Sequence, residues 1–361
     1  MSIRTSLTTR LGMKCPIIQA PLAGGGDTPA LVGAVCNAGG LGFVGAAYLS
    51  PEQIGNAAHE VRARTTKPFG ISLFAPLAAP ELPVNPKPAL ERVAPFFSEL
   101  GLPPPVLDPS PHQSFDEQLA AALESDASVF SFTFGILPRQ AIESIKNRGM
   151  FLIGTATTVD EAIALQKAQV DAIVAQGSEA GGHRATFGSE FESGMIGTIS
   201  LVPQVADAVA VPVIASGGIM DGRGIAAALA LGASAVQMGT AFLTCEEAGI
   251  PDVYKRAILQ AREDETRLTR AFSGRPARGI VNRFMMEFEA SDASGDILPF
   301  PLQNDLTRPL RSAAAKLGRA EFLSLWAGQG IRLAQRCMAA QLVECLALET
   351  ETAIGRFAET K

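Results

Sequence analysis

Little in this sequence points to disulfide or metal chemistry. Its five cysteines, Cys15, Cys36, Cys245, Cys337 and Cys345, are odd in number and scattered, and no Cys-x-x-Cys pair occurs. They read as reduced, mostly buried thiols of a cytosolic protein. There is no His-Glu-x-x-His, no cysteine cluster and no acidic calcium loop, so no metal site is expected. Histidine is scarcer still: His59, His112 and His183 are the only three. No apolar run reaches the roughly 18 residues that a membrane-spanning helix needs. Arg4, Arg10 and Lys14 interrupt the N-terminus where a secretory signal would be apolar. A cytoplasmic location is therefore expected. The formal net charge is −6, with no run of like charge, which argues against nucleic acid as a partner, since that binding rests on clustered Lys and Arg.

What the chain does have is apolar residues, 47% against 18% charged, enough for a large core. Eight short apolar runs recur: Pro16–Ala20, Gly42–Gly45, Phe69–Phe74, Val129–Phe134, Phe151–Gly154, Ala172–Ala175, Val213–Ser216 and Ala235–Met238. Most are continuously apolar, as strands buried on both faces should be. Helix signals separate them. Thr28 precedes Pro29, and the segment stops at Gly39-Gly40. Ser50, Pro51 and Gln53 form a capping box, and Thr158 with Glu161 suggests another. Asp221 can cap a helix that ends at Gly232. Eight alternating strands and helices imply a closed parallel barrel, the (β/α)8 or TIM barrel.

Two stretches break the pattern. Pro76–Pro111 is proline-rich and reads as an ordered covering loop with a short helix near Leu90–Leu100. From Glu246 onward no clear strand appears, while Arg319–Leu325 and Leu333–Phe357 look helical. The expected division is a barrel over 1–245 and a mainly helical region over 246–361 packing on it.

The strongest chemical signal is the pair of turns after the last two runs, Ser216-Gly217-Gly218-Ile219 and Gln237-Met238-Gly239-Thr240. Barrels often bind a phosphate there, because glycines let backbone N–H groups approach the oxygens. After the sixth run comes Gln176-Gly177-Ser178-Glu179-Ala180-Gly181-Gly182-His183. His183, in a glycine-rich loop at the active face, is the catalytic candidate, since imidazole exchanges protons near neutral pH. His59 falls in a helix and His112 in the proline-rich loop. Glu179 reads as a salt-bridge partner of an Arg. Ala20 and Pro21 end the first run with small residues that leave room for a cofactor. Gly40-Leu41-Gly42-Phe43-Val44-Gly45 matches G-x-G-x-x-G in letters only, because a helix precedes it and its glycines fall inside a strand.

Together these motifs resemble the nitronate monooxygenases, formerly called 2-nitropropane dioxygenases. Gln19-Ala20-Pro21, Gly39-Gly40-Leu41-Gly42 and the His183, Gly217-Gly218 and Gly239 segments carry the likeness. Thr269–Arg275 and Leu325-Trp326-Ala327-Gly328-Gln329 extend it downstream. The resemblance implies FMN held non-covalently at the C-terminal face, with Gln176, Gly181, Gly218 and Gln237 to Thr240 as contacts. It places Ser72 where the family often has Asn. Phe132-Thr133-Phe134-Gly135 stands where some members carry a second histidine, which leaves His183 alone. The implied reaction is flavin oxidation of a small alkyl nitronate, with O2, to a carbonyl compound and nitrite. His183 would hydrogen-bond or charge-pair with the nitro group, or remove the α-proton of a neutral nitroalkane. A homodimer is allowed but not required. The alternative is an NAD(P)H-dependent FMN barrel reductase of the enoyl-thioester or quinone type. An IMP dehydrogenase-like mechanism would need a nucleophilic Cys after the sixth strand, and none lies between Cys36 and Cys245.

Overall fold

A computed structural model of the chain describes residues 3–78, 80–107, 113–290 and 297–358. Its strands are β1 (Ile17–Gln19), β2 (Phe43–Gly45), β3 (Gly70–Phe74), β4 (Val129–Thr133), β5 (Phe151–Ala156), β6 (Ala172–Gln176), β7 (Gly182–His183), β8 (Val213–Ser216), β9 (Ala235–Met238), β10 (Thr266–Thr269) and β11 (Ala277–Ile280). Eight of them form one parallel sheet in the order β1-β9-β8-β6-β5-β4-β3-β2. Each of the eight apolar runs supplies one strand of it. Most strand residues are buried on both faces, which is why the runs do not alternate.

The sheet closes into a (β/α)8 barrel between β1 and β2. Gln19 N donates to Leu41 O at 2.9 Å and Leu41 N to Ile17 O at 3.0 Å. The fully buried Gln19 side chain completes the seam, its Oε1 accepting from Phe43 N at 3.1 Å and its Nε2 donating to Phe43 O at 3.3 Å. A helix at Ser6–Leu11 caps the N-terminal end, where Leu7 and Leu11 join Ile18, Phe43, Val129 and Ile214 in one cluster.

The caps form largely as their residues dictate. Thr28 accepts from Leu31 N, Ser50 and Gln53 make a reciprocal box, and Asp221 accepts from Arg223 and Gly224 N. At Thr158 only half of the expected box exists. Thr158 accepts from Glu161 N, but the Glu161 carboxylate turns away to Thr157, Phe187 N and Gly188 N. Four donors in a buried site hold it more strongly than the single N-cap N–H would.

The stretch after β9 departs from expectation. It contains two strands, β10 and β11, which pair antiparallel with each other. β11 also pairs with the two-residue β7, setting Ala277 opposite His183. Three helices follow from short or proline-bearing sequence: Asp252–Gln260, Arg283–Glu289 and Leu302–Leu317, the last with Pro309 inside it. Arg319–Leu325 holds only a single tight turn at Ala320–Phe322. The terminal helix runs Ala339–Ala358 and lies on the helices Pro29–Ala38 and Gly222–Ala230.

The proline-rich stretch forms a helix over Lys87–Glu99. Its Val93, Phe96 and Phe97 pack with Phe284, Phe288 and Phe322 in a second apolar cluster. The helix therefore docks on the post-barrel segment, and none of the stretch's described residues lines the cavity at the barrel mouth. His112 and Pro111 lie outside the described residues. No helix among the described residues is long and apolar enough to cross a membrane.

Candidate active site

One cavity of about 670 Å³ opens at the C-terminal ends of the barrel strands, a size typical of small-molecule and cofactor sites. Ala20, Pro21, Ser72, Gln176, Gly181, His183, Ser216, Gly217, Gly218, Gln237, Met238, Gly239 and Thr240 all line it. The structure thus brings every sequence-derived candidate to one chamber.

On one wall the turns after β8 and β9 meet. Gly217 and Gly218 adopt φ of 121° and 71°, a backbone open to glycine at no steric cost. A Cβ on Gly218 would stand 3.1 Å from the Glu179 Cβ. Thr240 opens the short helix Thr240–Leu243, and its Oγ1 accepts from Gly328 N at 3.0 Å. The floor is made of strand ends. Ser72 (β3), Ser131 and Thr133 (β4), Thr155 (β5) and Gln176 (β6) face the cavity. The Thr133 hydroxyl is buried and has no hydrogen-bond partner among the described residues. Such a group costs free energy until a ligand satisfies it. Glycine-lined backbone on one side and an unmatched hydroxyl on the floor fit a phosphate-bearing, hydrogen-bonding cofactor.

His183 stands on another wall, held from outside the barrel. Its backbone is paired with β11, and its carbonyl accepts from Gln176 Nε2 at 3.1 Å, while Gln176 Oε1 accepts from Ala185 N at 3.0 Å. Both ends of the Gln176 amide are therefore committed to the His183 strand, leaving one N–H for a ligand. The imidazole Nε2 lies 2.8 Å from Ser273 Oγ. That hydroxyl also sits 3.1 Å from Arg275 O and accepts from Arg275 N at 3.3 Å. It has one proton to give. Given to Nε2, the imidazole proton resides on Nδ1 as a donor; given to Arg275 O, Nε2–H donates and Nδ1 becomes an acceptor. One serine thus selects between a hydrogen-bond donor and a proton acceptor.

Aromatic rings close around the imidazole: Trp326 at 5.5 Å, Phe300 at 5.8 Å and Phe134 at 6.1 Å between centroids. Phe134 holds a φ of 75°, a conformation that costs a non-glycine residue about 1–3 kcal/mol. The Arg275 guanidinium offsets this, stacking 3.8 Å from the Phe134 ring and donating to Arg184 O and Thr186 O just beyond His183. Burial above all, then the charges of Arg275 and Arg311, push the half-buried His183 down to about 3. The imidazole is therefore neutral at physiological pH, which of the two roles expected for it favours hydrogen bonding over charge-pairing.

Among the described residues Glu179 pairs with no arginine. Its carboxylate accepts from Thr198 N at 3.0 and 2.9 Å and from Thr198 Oγ1 at 2.9 Å, capping the helix Thr198–Ala208, whose N-terminus favours negative charge. His59 is exposed on the helix Pro51–Arg62, away from the cavity. Sequence reasoning missed Thr133, Ser273, Phe300, Trp326 and the arginines of the helix Leu302–Leu317. Thr133 was findable, since it ends a barrel strand on the active face. Ser273 and Trp326 lie in motifs that carry the family likeness but offer no local sign of contact with His183.

A family model for nitronate monooxygenase matches residues 5–349. The chain belongs to the nitronate monooxygenase family. It is an oxidoreductase of this flavin-dependent family. A protein of Staphylococcus aureus described as a probable nitronate monooxygenase is 45% identical over 332 residues, 92% of this chain and 93% of its own length. The solved structure of nitroalkane oxidase from Streptomyces ansochromogenes is 42% identical and superposes with a TM-score of 0.89 over 97% of this chain and 99% of that one. FabK from Thermotoga maritima shares the fold at 29% identity and a TM-score of 0.78 over the full length of both chains.

Proposed function

We propose that this family member holds FMN at the barrel mouth and uses O2 to oxidise alkyl nitronates to a carbonyl compound and nitrite. The observation that carries the reading is a single cavity combining a glycine-lined phosphate cradle, an unpartnered Thr133 hydroxyl and a neutral His183 inside an aromatic box. FMN, when bound, supplies the electron transfer and the reaction with O2. The chain supplies position. Backbone N–H groups at Gly217, Gly218 and Gly239 would take the phosphate, and Ser72, Thr133 and the remaining Gln176 N–H the polar edge of the ring. Ala20, Pro21 and Gly181 leave space for it. The rings of Phe134, Phe300 and Trp326 exclude water from the alkyl chain, and His183 hydrogen-bonds the nitro oxygens.

Flavin type tests the cradle. Heat denaturation of the purified protein should release FMN, since the turns after β8 and β9 would suit a single phosphate and no dinucleotide fold accompanies them among the described residues. Release of FAD would contradict the cradle. NAD(P)H added without oxygen should leave the flavin oxidised for minutes, whereas rapid bleaching would favour the reductase reading.

The depressed His183 also predicts a pH profile. A histidine lowered from 6.5 to about 3 stays neutral on both sides of its ordinary value. kcat/KM on a preformed nitronate should therefore show no inflection from this group between about pH 5 and 8. An inflection near 6.5 that vanishes in His183→Asn would show that the imidazole ionises during turnover.

A further inference from the structure

One wall of the cavity is a face of the helix Leu302–Leu317, where Asn304, Arg308, Arg311 and Ala315 recur at three- and four-residue spacing. Its two arginines differ. Arg308 is mostly exposed, pairs with Asp305 at 3.1 Å and lies 5.8 Å from the Tyr48 ring. Arg311 points inward. Its Nη2 donates at 2.8 Å to both Asn304 O and Asn304 Oδ1, which are neutral acceptors. Its Nε is buried with no partner, and among the described residues it forms no ion pair. Burial pushes the guanidinium down to about 10, which still leaves it charged at neutral pH.

A buried cation without a counter-ion is costly. The cost is recovered where the ligand itself brings the negative charge. The charge of Arg311 is felt at His183 and at Tyr48, so it acts on the same chamber that holds the imidazole. His183 is neutral and cannot balance an anion. With Nη2 committed to Asn304 and Nε enclosed, Nη1 is the guanidinium nitrogen left to meet an anion, and an oxygen of a nitronate's O–N–O unit would suit it.

We infer that Arg311 is the counter-charge of the site, holding the planar two-oxygen head of an anionic substrate while His183 adds a neutral hydrogen bond. This rests on the nitronate reading above. In that division of labour Arg311 decides for the anion over its neutral parent, and Asn304 is a positioning residue that holds Nη2 and so aims the guanidinium.

The test is Arg311→Gln in the FMN-loaded enzyme, with flavin content and melting temperature checked against wild type. KM for a simple alkyl nitronate should rise on the order of 100-fold, kcat should change little, and KM for the neutral nitroalkane should stay within about threefold. The dissociation constant of nitrate, read from the flavin spectrum without turnover, should weaken in parallel. Arg311→Lys, which keeps the charge, should recover most of the loss. Unchanged nitronate KM and unchanged nitrate binding in Arg311→Gln would overturn the inference. If Gln does not fold, wild-type-like selectivity for the anion in Arg311→Met or Arg311→Ala overturns it equally. Should wild type bind nitrate through Arg311 but oxidise no nitronate, the anion site stands and the nitronate reading falls.

Discussion

Replacing His183 with Asn is expected to leave a folded, FMN-containing protein whose kcat/KM on a preformed nitronate falls about 10- to 150-fold. The figure follows from losing one hydrogen bond to a charged acceptor, worth about 1.5–3 kcal/mol. It is smaller than the loss expected for a charge pair, because burial and two arginine charges keep the imidazole neutral. The same depression makes His183 a weak base, so wild type should already prefer nitronates to neutral nitroalkanes. Whatever nitroalkane activity exists needs a proton removed and should fall further in the mutant than nitronate activity. Ser273→Ala provides the companion measurement. It removes the hydroxyl that selects the tautomer and should alter the ratio of the two activities more than either rate alone. Wild-type rates on both substrates in His183→Asn would reduce the residue to packing.

The second large effect is expected at Gly218. Gly218→Asp puts a Cβ on a residue with φ of 71°, 3.1 Å from the Glu179 Cβ, and adds a carboxylate to the turn proposed to hold the phosphate. Like charges about 4 Å apart in a partly screened site repel by about 4 kcal/mol, so FMN binding should weaken on the order of 1000-fold. Gly218→Ala separates strain from charge. It carries the left-handed backbone cost of about 1–2 kcal/mol with and without FMN, so it should lower the melting temperature while FMN binding stays within a few-fold and the protein remains yellow. A Gly218→Asp protein with full FMN content would remove the phosphate from this turn.

The inner half of the site was legible in the sequence, and the outer half was not, for a physical reason. Barrel strands buried on both faces leave continuous apolar runs, and their ends define the active face, so Gly218 and Gly239 could be placed by counting, while Ser72 and Gln176 entered as flavin contacts through the family resemblance. The residues that finish the chamber arrive from elements with weak local signals. β10 and β11 are four residues each, and β11 is buried despite its Arg and Gly. The helix Leu302–Leu317 starts after Pro301 with no side-chain cap and carries Pro309 in its interior, so the pattern hides a helix that delivers Arg311. His183 itself was found, but its neutrality was not. That depends on Arg275 and Arg311, which are distant in sequence and charged in a site closed by aromatic rings.

The most direct test of the account is oxygen uptake and nitrite release by the purified, FMN-loaded protein on adding a simple alkyl nitronate. The account predicts immediate uptake with nitrite formed, catalytic in enzyme, and with no need for NAD(P)H. No uptake from a yellow, fully loaded enzyme, together with rapid flavin bleaching by NAD(P)H, would contradict it.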